Sequence, residues 1–315
     1  MLDIKTTKLQ SILRISTFMP KINLKGMGVA LITPFKEDLS VDYDALSRLI
    51  SYQLQSGTDY LVVLGTTAET PTLTEEEKDK IVEMVVTKVN GQIPIIIGEG
   101  GNNTQAIINN LKTKDYRGID AILSVVPYYN KPSQEGIYQH YKAISEASPL
   151  PIILYNVPGR TGVNMAAETT LRLASECENV IAIKEASGNM SQMDEIIKRK
   201  PAYFEVISGD DGVTFPLITL GAIGVISVIG NAFPKEFSRM TRLALEGDYD
   251  SALTIHHSFS ELFNLLFVDG NPAGVKSMLN MMGYIENKLR LPLVPTRITT
   301  YEQIRQVLID LNIKC

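Results

Sequence analysis

The stretch Val180-Ile-Ala-Ile-Lys-Glu-Ala-Ser-Gly188 decides how the rest of the chain is read. Val180, Ile181, Ala182 and Ile183 make a continuous apolar run, the pattern of a strand covered on both faces. Such strands belong to parallel sheets, whose crossover helices cover them on either side. Lys184 stands where this strand reaches its carboxyl end. That position has two readings: the point at which a buried strand surfaces, or an amine held there for chemistry. The run by itself leaves both open.

Seven further runs of the same character lie along the chain. They are Val29–Thr33, Tyr60–Leu64, Pro94–Gly98, Asp120–Val126, Pro151–Tyr155, Phe204–Ser208 and Gly224–Val228. Each is too short for a helix. Segments of helical period separate them: Asp42–Ser56 sets Leu46, Leu49, Ile50 and Leu54 on one stripe. Thr74-Glu-Glu-Glu77 places a carboxylate three positions after a capping residue, and Ser133 caps a further helix through Tyr138 and Ile144. Helical spacing recurs over 166–175, 190–200 and 211–220. Eight strands alternating with helices predict an α/β protein, and eight is the number that closes a (β/α)8 TIM barrel. An open doubly wound sheet is the other arrangement, but no G-x-G-x-x-G follows the first strand. Beyond Pro234 the pattern is almost entirely helical. The expected organisation is a leader outside the fold (1–25), a catalytic barrel (26–245) and a C-terminal helical appendage (246–315).

The composition narrows the chemistry. The chain has 315 residues, 44% hydrophobic and 21% charged, with a formal net charge of −5. An acidic balance argues against nucleic acid as the main partner. No apolar run has the length of a membrane span. Two cysteines, Cys177 and Cys315, make no disulfide framework and fit a reducing, cytoplasmic setting. The three histidines lack metal-ligand spacing, so no metal or organic cofactor is expected. The first eighteen residues are basic and poor in acids, without the apolar core or cleavage site of a secretory signal. Met19 directly precedes the organised part of the chain.

In a barrel, chemistry gathers at the carboxyl ends of the strands. Those ends carry Thr33-Pro34-Phe35, Gly65-Thr66-Thr67-Ala68-Glu69-Thr70, Gly98-Glu99-Gly100-Gly101-Asn102 and Pro127-Tyr128-Tyr129-Asn130. Then come Tyr155-Asn156-Val157-Pro158-Gly159-Arg160-Thr161-Gly162, Lys184-Glu185, Ser208-Gly209-Asp210-Asp211 and Ile229-Gly230-Asn231. One rim therefore sets Lys184 among hydroxyls, phenols and an arginine, which suggests amine chemistry on a carbonyl. The amine must shed its proton to attack, and burial disfavours the charged form. Tyr155, one strand away, can pass protons through hydroxyls such as Thr66, or be only a packed ring. Tyr128 and Tyr129 are sequential, so only one can face the pocket of an extended segment. Arg160 suits a carboxylate through its fork, or a loop-to-helix salt bridge. The Gly65-Thr66-Thr67 turn offers a weak anion site. Glu69 reads as structural rather than catalytic.

The motifs GTTAET (65–70), VVPYYNKPSQEGIYQHYKAI (125–144), ILYNVPGRTG (153–162), IKEASG (183–188), SGDD (208–211) and GVISV (224–228) follow in one order at strand ends. With them the chain resembles the 4-hydroxy-tetrahydrodipicolinate synthase (dihydrodipicolinate synthase) family of pyruvate-dependent class I aldolases and lyases, from about Gly26 onward. The resemblance implies a barrel with a helical C-terminal domain, assembled as a homotetramer, a dimer of dimers. It implies that Lys184 forms the Schiff base with pyruvate and that Tyr155 relays protons with Thr66. Tyr129 corresponds to the tyrosine lent across a dimer interface to the neighbouring site. Thr67 corresponds to a binder of the pyruvate carboxylate, Arg160 to the residue that receives aspartate semialdehyde, and Gly209 and Ile226 to pocket-lining positions. The implied reaction condenses pyruvate with L-aspartate 4-semialdehyde, in lysine and diaminopimelate biosynthesis.

Two other readings stand beside it: a related aldolase acting on a sugar-derived 2-keto-3-deoxy acid, and a catalytically silent barrel that senses a small keto acid. Arg160 argues against a sialic acid lyase, which typically lacks an arginine in that turn. Ala68 and Glu99 depart from the usual family residues. Glu75 and Ala106 stand where lysine-inhibited members carry a histidine and a glutamate, and Lys78 adds a positive charge. Inhibition by lysine is therefore expected to be weak or altered.

Overall fold

The computed structural model describes residues 22–313. Of the expected leader, residues 1–21 lie outside the described residues. Eight parallel strands follow one another around a closed barrel: β1 (Gly26–Ala30), β2 (Tyr60–Val63), β3 (Ile95–Gly98), β4 (Ala121–Val125), β5 (Ile152–Asn156), β6 (Val180–Glu185), β7 (Glu205–Ser208) and β8 (Gly224–Ser227). β1 closes the cylinder on β8, with Gly26 opposite Gly224 and Val29 opposite Ser227. The fold is the TIM barrel that the sequence predicts.

Seven strands fall within a residue or two of their expected positions; the first does not. It was expected over Val29–Thr33 and forms instead over Gly26–Ala30. Gly26 and Gly28 argue locally against a strand, because glycine has little strand preference. The neighbour decides otherwise. A Cβ on Gly28 would lie 2.0 Å from the Tyr60 ring, so only glycine lets β1 pass that tyrosine.

Side chains alternate between two apolar layers. Ala30, Val62, Ile96, Leu123, Ile153, Tyr155, Ala182, Ile207 and Ile226 meet inside the barrel. Val29, Leu61, Val63, Ile97, Ile122, Leu154, Ile183, Val206 and Val225 point outward into the larger layer under the helices. Fully burying each such aliphatic side chain is worth about 1.5–3 kcal/mol. The helices start where the caps place them. Asp42 accepts from Ala45 N ahead of helix 43–55, Thr74 and Glu77 form a complete capping box, and Ser133 accepts from Gly136 N.

After β8 the chain is helical: 234–246, 249–258, 260–265, 273–281 and 298–310. Phe233, Phe237, Phe259 and Phe263 pack as tilted and edge-on rings, neighbouring centroids 5.1–6.4 Å apart, and continue the outer apolar layer into this region. Among the described residues no helix is long and apolar enough to cross a membrane.

Candidate active site

Lys184 and Tyr155 are register partners on β6 and β5. Strand alternation turns both inward, in line with Ala182 and Ile153 of the inner layer. Both are buried, at 5% and 6% exposure, and Lys184 Nζ lies 4.4 Å from the centre of the Tyr155 ring. The Lys184 amine forms no ion pair or hydrogen bond among the described residues. A sequestered amine without a fixed carboxylate partner remains available to a ligand. The strand-exit reading of Lys184 is thus excluded: the side chain is inside the barrel mouth, not in solvent.

The positions of these two residues are held from behind. The residue after each, Asn156 and Glu185, is fully buried and turned outward. Asn156 Nδ2 donates to both Glu185 oxygens at 3.1 Å. Glu185 also accepts from Ser187 N at 2.8 Å and Gln192 Nε2 at 3.1 Å. Asn156 Oδ1 accepts from Met165 N at 3.0 Å, which ties in the segment after the Arg160 turn. Burial pushes the Glu185 carboxyl up from its ordinary range, while the hydrogen bonds oppose that shift. Sequence reasoning missed this network. Its one local signal was a polar residue at the outward position directly after each candidate catalytic residue.

Gly209 closes the mouth beside the lysine. A Cβ there would lie 2.7 Å from Ala186 Cβ and 3.1 Å from both Glu185 O and Lys184 Cε. Ile226, 1% exposed, supplies apolar wall from β8. Thr66 and Thr67 sit on a short 3₁₀ turn, 66–68, straight after β2. Thr66 is exposed, and its hydroxyl has no partner among the described residues. Thr67 is buried, and its Oγ1 accepts from Asn271 Nδ2 at 3.0 Å. Glu69 is structural: its carboxylate is fully buried against Lys276 Nζ at 2.5 Å and accepts from Arg290 N at 3.0 Å. Burial pulls Lys276 down to about 8 while Glu69 opposes it. Neither Asn271 nor Lys276 was singled out from sequence, because nothing local marks a residue two hundred positions away as a neighbour of the mouth.

Arg160 lies in the short helical turn Pro158–Thr161 and is exposed. It makes no ion pair among the described residues, so the salt-bridge reading falls away and the guanidinium fork is free for a ligand. Tyr129 differs from the simplest expectation, that one tyrosine of the pair faces the pocket of its own chain. It is 88% exposed with φ 73°, and Tyr128 is 42% exposed. The loop turns through the left-handed region at Tyr129 and again at Lys131, φ 45°, instead of running on as a strand. The Tyr155 hydroxyl meanwhile has no hydrogen-bond partner among the described residues.

Comparison with known proteins agrees with this geometry. Residues 23–310 match the model of the dihydrodipicolinate synthetase family. The chain is 78% identical over 297 residues to a 4-hydroxy-tetrahydrodipicolinate synthase from Parabacteroides distasonis, a match that covers 94% of this chain and 100% of that one. Its fold superposes on dihydrodipicolinate synthase from Aquifex aeolicus with a TM-score of 0.89 and 45% identity, over 92% of this chain and 99% of that one. It superposes equally, at TM-score 0.89 and 42% identity, on a chloride-inhibited dihydrodipicolinate synthase from Acinetobacter baumannii complexed with pyruvate, over 92% and 100% of the two chains. A buried amine beside a phenol, at the mouth of a barrel matched along nearly its whole length, leads to one conclusion: this chain belongs to the dihydrodipicolinate synthetase family.

Proposed function

We propose that this protein condenses pyruvate with L-aspartate 4-semialdehyde to give 4-hydroxy-tetrahydrodipicolinate, through an imine on Lys184. The observation that carries the assignment is the unpaired, buried Lys184 amine beside Tyr155. The lysine attacks the keto carbon of pyruvate, water leaves, and an iminium forms. Loss of a methyl proton converts it to an enamine, whose carbon attacks the aldehyde. The amino group of the second substrate then adds to the imine carbon, closes the ring and releases Lys184. Tyr155 carries protons into and out of these steps, with the Thr66 hydroxyl as its relay partner. Thr67 holds the pyruvate carboxylate, Arg160 the carboxylate of the semialdehyde, and Gly209 and Ile226 shape the wall between them. The named relatives are synthases of this kind, which favours the synthase over the sugar-acid aldolase.

Tyr129 completes the site of a second copy. Its 88% exposure and the unpartnered Tyr155 hydroxyl are the complementary halves of such an arrangement. The assembly assigned is a homotetramer, a dimer of dimers, working in the cytoplasm.

Borohydride reduction in the presence of pyruvate, followed by peptide mass spectrometry, tests the imine. A reduced pyruvyl adduct on Lys184 is expected; no adduct overturns the assignment. A coupled assay with aspartate semialdehyde tests the second substrate. Mixing Lys184→Ala with Tyr129→Phe chains under exchange conditions tests the shared site. Activity above either variant alone is expected, because one hybrid site then holds both native residues.

A further inference from the structure

We propose that Asn271, brought to the barrel mouth by the C-terminal helical region, is a positioning residue for pyruvate: it turns the Thr67 hydroxyl into a donor aimed at the substrate carboxylate. The inference rests on the reading of Thr67 as the carboxylate contact. A threonine hydroxyl has one proton to donate and two lone pairs to accept with. Asn271 Nδ2 occupies one lone pair at 3.0 Å, between side chains exposed by only 5% and 3%. No acceptor among the described residues takes the Thr67 proton. The hydroxyl therefore stands buried with its proton unspent, and an arriving carboxylate is the group that satisfies it.

A second observation points the same way. Asn271 Oδ1 is buried without a partner. A desolvated, unpaired carbonyl is costly, and an apolar residue at this place would avoid that cost. What the amide supplies is its N–H, whose bond to Thr67 is the one hydrogen bond its side chain makes among the described residues. The rest of the turn is pinned so that the hydroxyl has little freedom to swing away. Thr33 Oγ1 donates to Ala68 O at 2.8 Å, and Thr70 Oγ1 donates to Gly65 O at 2.9 Å. Glu69, left-handed at φ 55°, is gripped by Lys276 and by Arg290 N. Asn271, Lys276 and Arg290 all follow helix 234–246 in the chain, so the region beyond the barrel completes the turn that receives pyruvate.

Steady-state kinetics on the intact protein with Thr67→Val, Asn271→Leu, Asn271→Asp and the Thr67→Val/Asn271→Leu pair test this. Thr67→Val raises KM for pyruvate. Asn271→Leu raises it about tenfold, the scale of one buried hydrogen bond, and leaves KM for aspartate semialdehyde within about twofold. Asn271→Asp does more harm than Asn271→Leu, because a carboxylate takes the Thr67 proton and repels the substrate. The double variant is no worse than Thr67→Val alone, as expected of two groups acting as one. Asn271→Asp, close in shape to asparagine, keeps the test valid if Asn271→Leu does not fold. Unchanged pyruvate KM in Asn271→Asp, equal changes in both KM values, or multiplying effects in the double variant would overturn the inference. Unchanged pyruvate KM in Thr67→Val would instead remove the underlying reading of Thr67.

Discussion

Adding one carbon atom at Gly209 tests the reasoning about the site most directly. The backbone there does not adopt a positive φ, so alanine is conformationally permitted and the effect is steric alone. The new Cβ would meet Ala186 Cβ at 2.7 Å and Glu185 O and Lys184 Cε at 3.1 Å. Relaxed carbon–carbon contacts lie at about 3.5–4.0 Å, so something must retreat by roughly 1 Å. Ala186 Cβ and Glu185 O are fixed to backbone, and Glu185 is locked by Asn156 and Gln192. The Lys184 side chain is the mobile partner and gives way at its own contact, while the closer Ala186 contact is relieved only by a shift of the backbone that carries Lys184. Overpacking of this kind costs about 1–3 kcal/mol. If that cost falls on the reacting geometry, imine formation slows by about 5- to 150-fold. The assay is the rate of borohydride-trapped adduct with pyruvate, read by mass spectrometry, alongside urea denaturation. Gly101→Ala serves as control, since its Cβ meets only Ile107, at an ordinary 3.8 Å. A folded Gly209→Ala protein that forms adduct at the wild-type rate would refute the placement of Lys184 beneath that glycine.

Three further outcomes are expected. His140 is buried with Nδ1 2.8 Å from Thr104 Oγ1, and burial holds its pKa down at about 4. Its contribution is present above about pH 6.5 and is lost as the pH falls toward 4, about 3 kcal/mol in all. Asp211, fully buried and raised to about 6, has the opposite sign: its contribution is present below about pH 4 and is lost as the pH rises through 6. Urea midpoints at pH 7 and 4.5 should therefore show His140→Gln gaining stability on acidification relative to wild type, and Asp211→Asn losing it. Removing the Lys276 ammonium strands the Glu69 carboxylate in the core, so Lys276→Met should cost about 3–5 kcal/mol in urea unfolding. The Glu69→Gln/Lys276→Met pair should recover most of that loss; no recovery would contradict a paired-charge origin. Lysine should inhibit weakly. Glu75 is already bridged to Lys78 at 2.7 Å and Lys114 at 3.5 Å, and Lys114 to Glu99 at 3.1 Å, so two ammonium groups occupy this acidic cluster. Strong inhibition in a low-micromolar titration would contradict this.

The periodicity of eight short apolar runs predicts strands alternating with helices in a parallel sheet, and their number points to a closed barrel. The strands are legible because a strand buried on both faces must be apolar throughout, and that constraint is local. The neighbourhood of Lys184, Tyr155, Gly209 and Ile226 is legible for a related reason: a parallel barrel brings all its strand ends to one rim, so position along the chain implies position in space. What the sequence left undecided depends on neighbours far along the chain. Gly26 and Gly28 belong to β1 because Asp59 and, from the next strand, Tyr60 occupy the space of their Cβ atoms. Tyr129 turns away from its own chain because the loop passes through left-handed backbone, which no apolar pattern records. Glu69 proved to be a buried anchor and Thr67 the acceptor from Asn271, because residues some two hundred positions later fold back over the mouth. Buried charges and amides are tolerable only where a partner exists, and partners at that separation come together only in the folded chain.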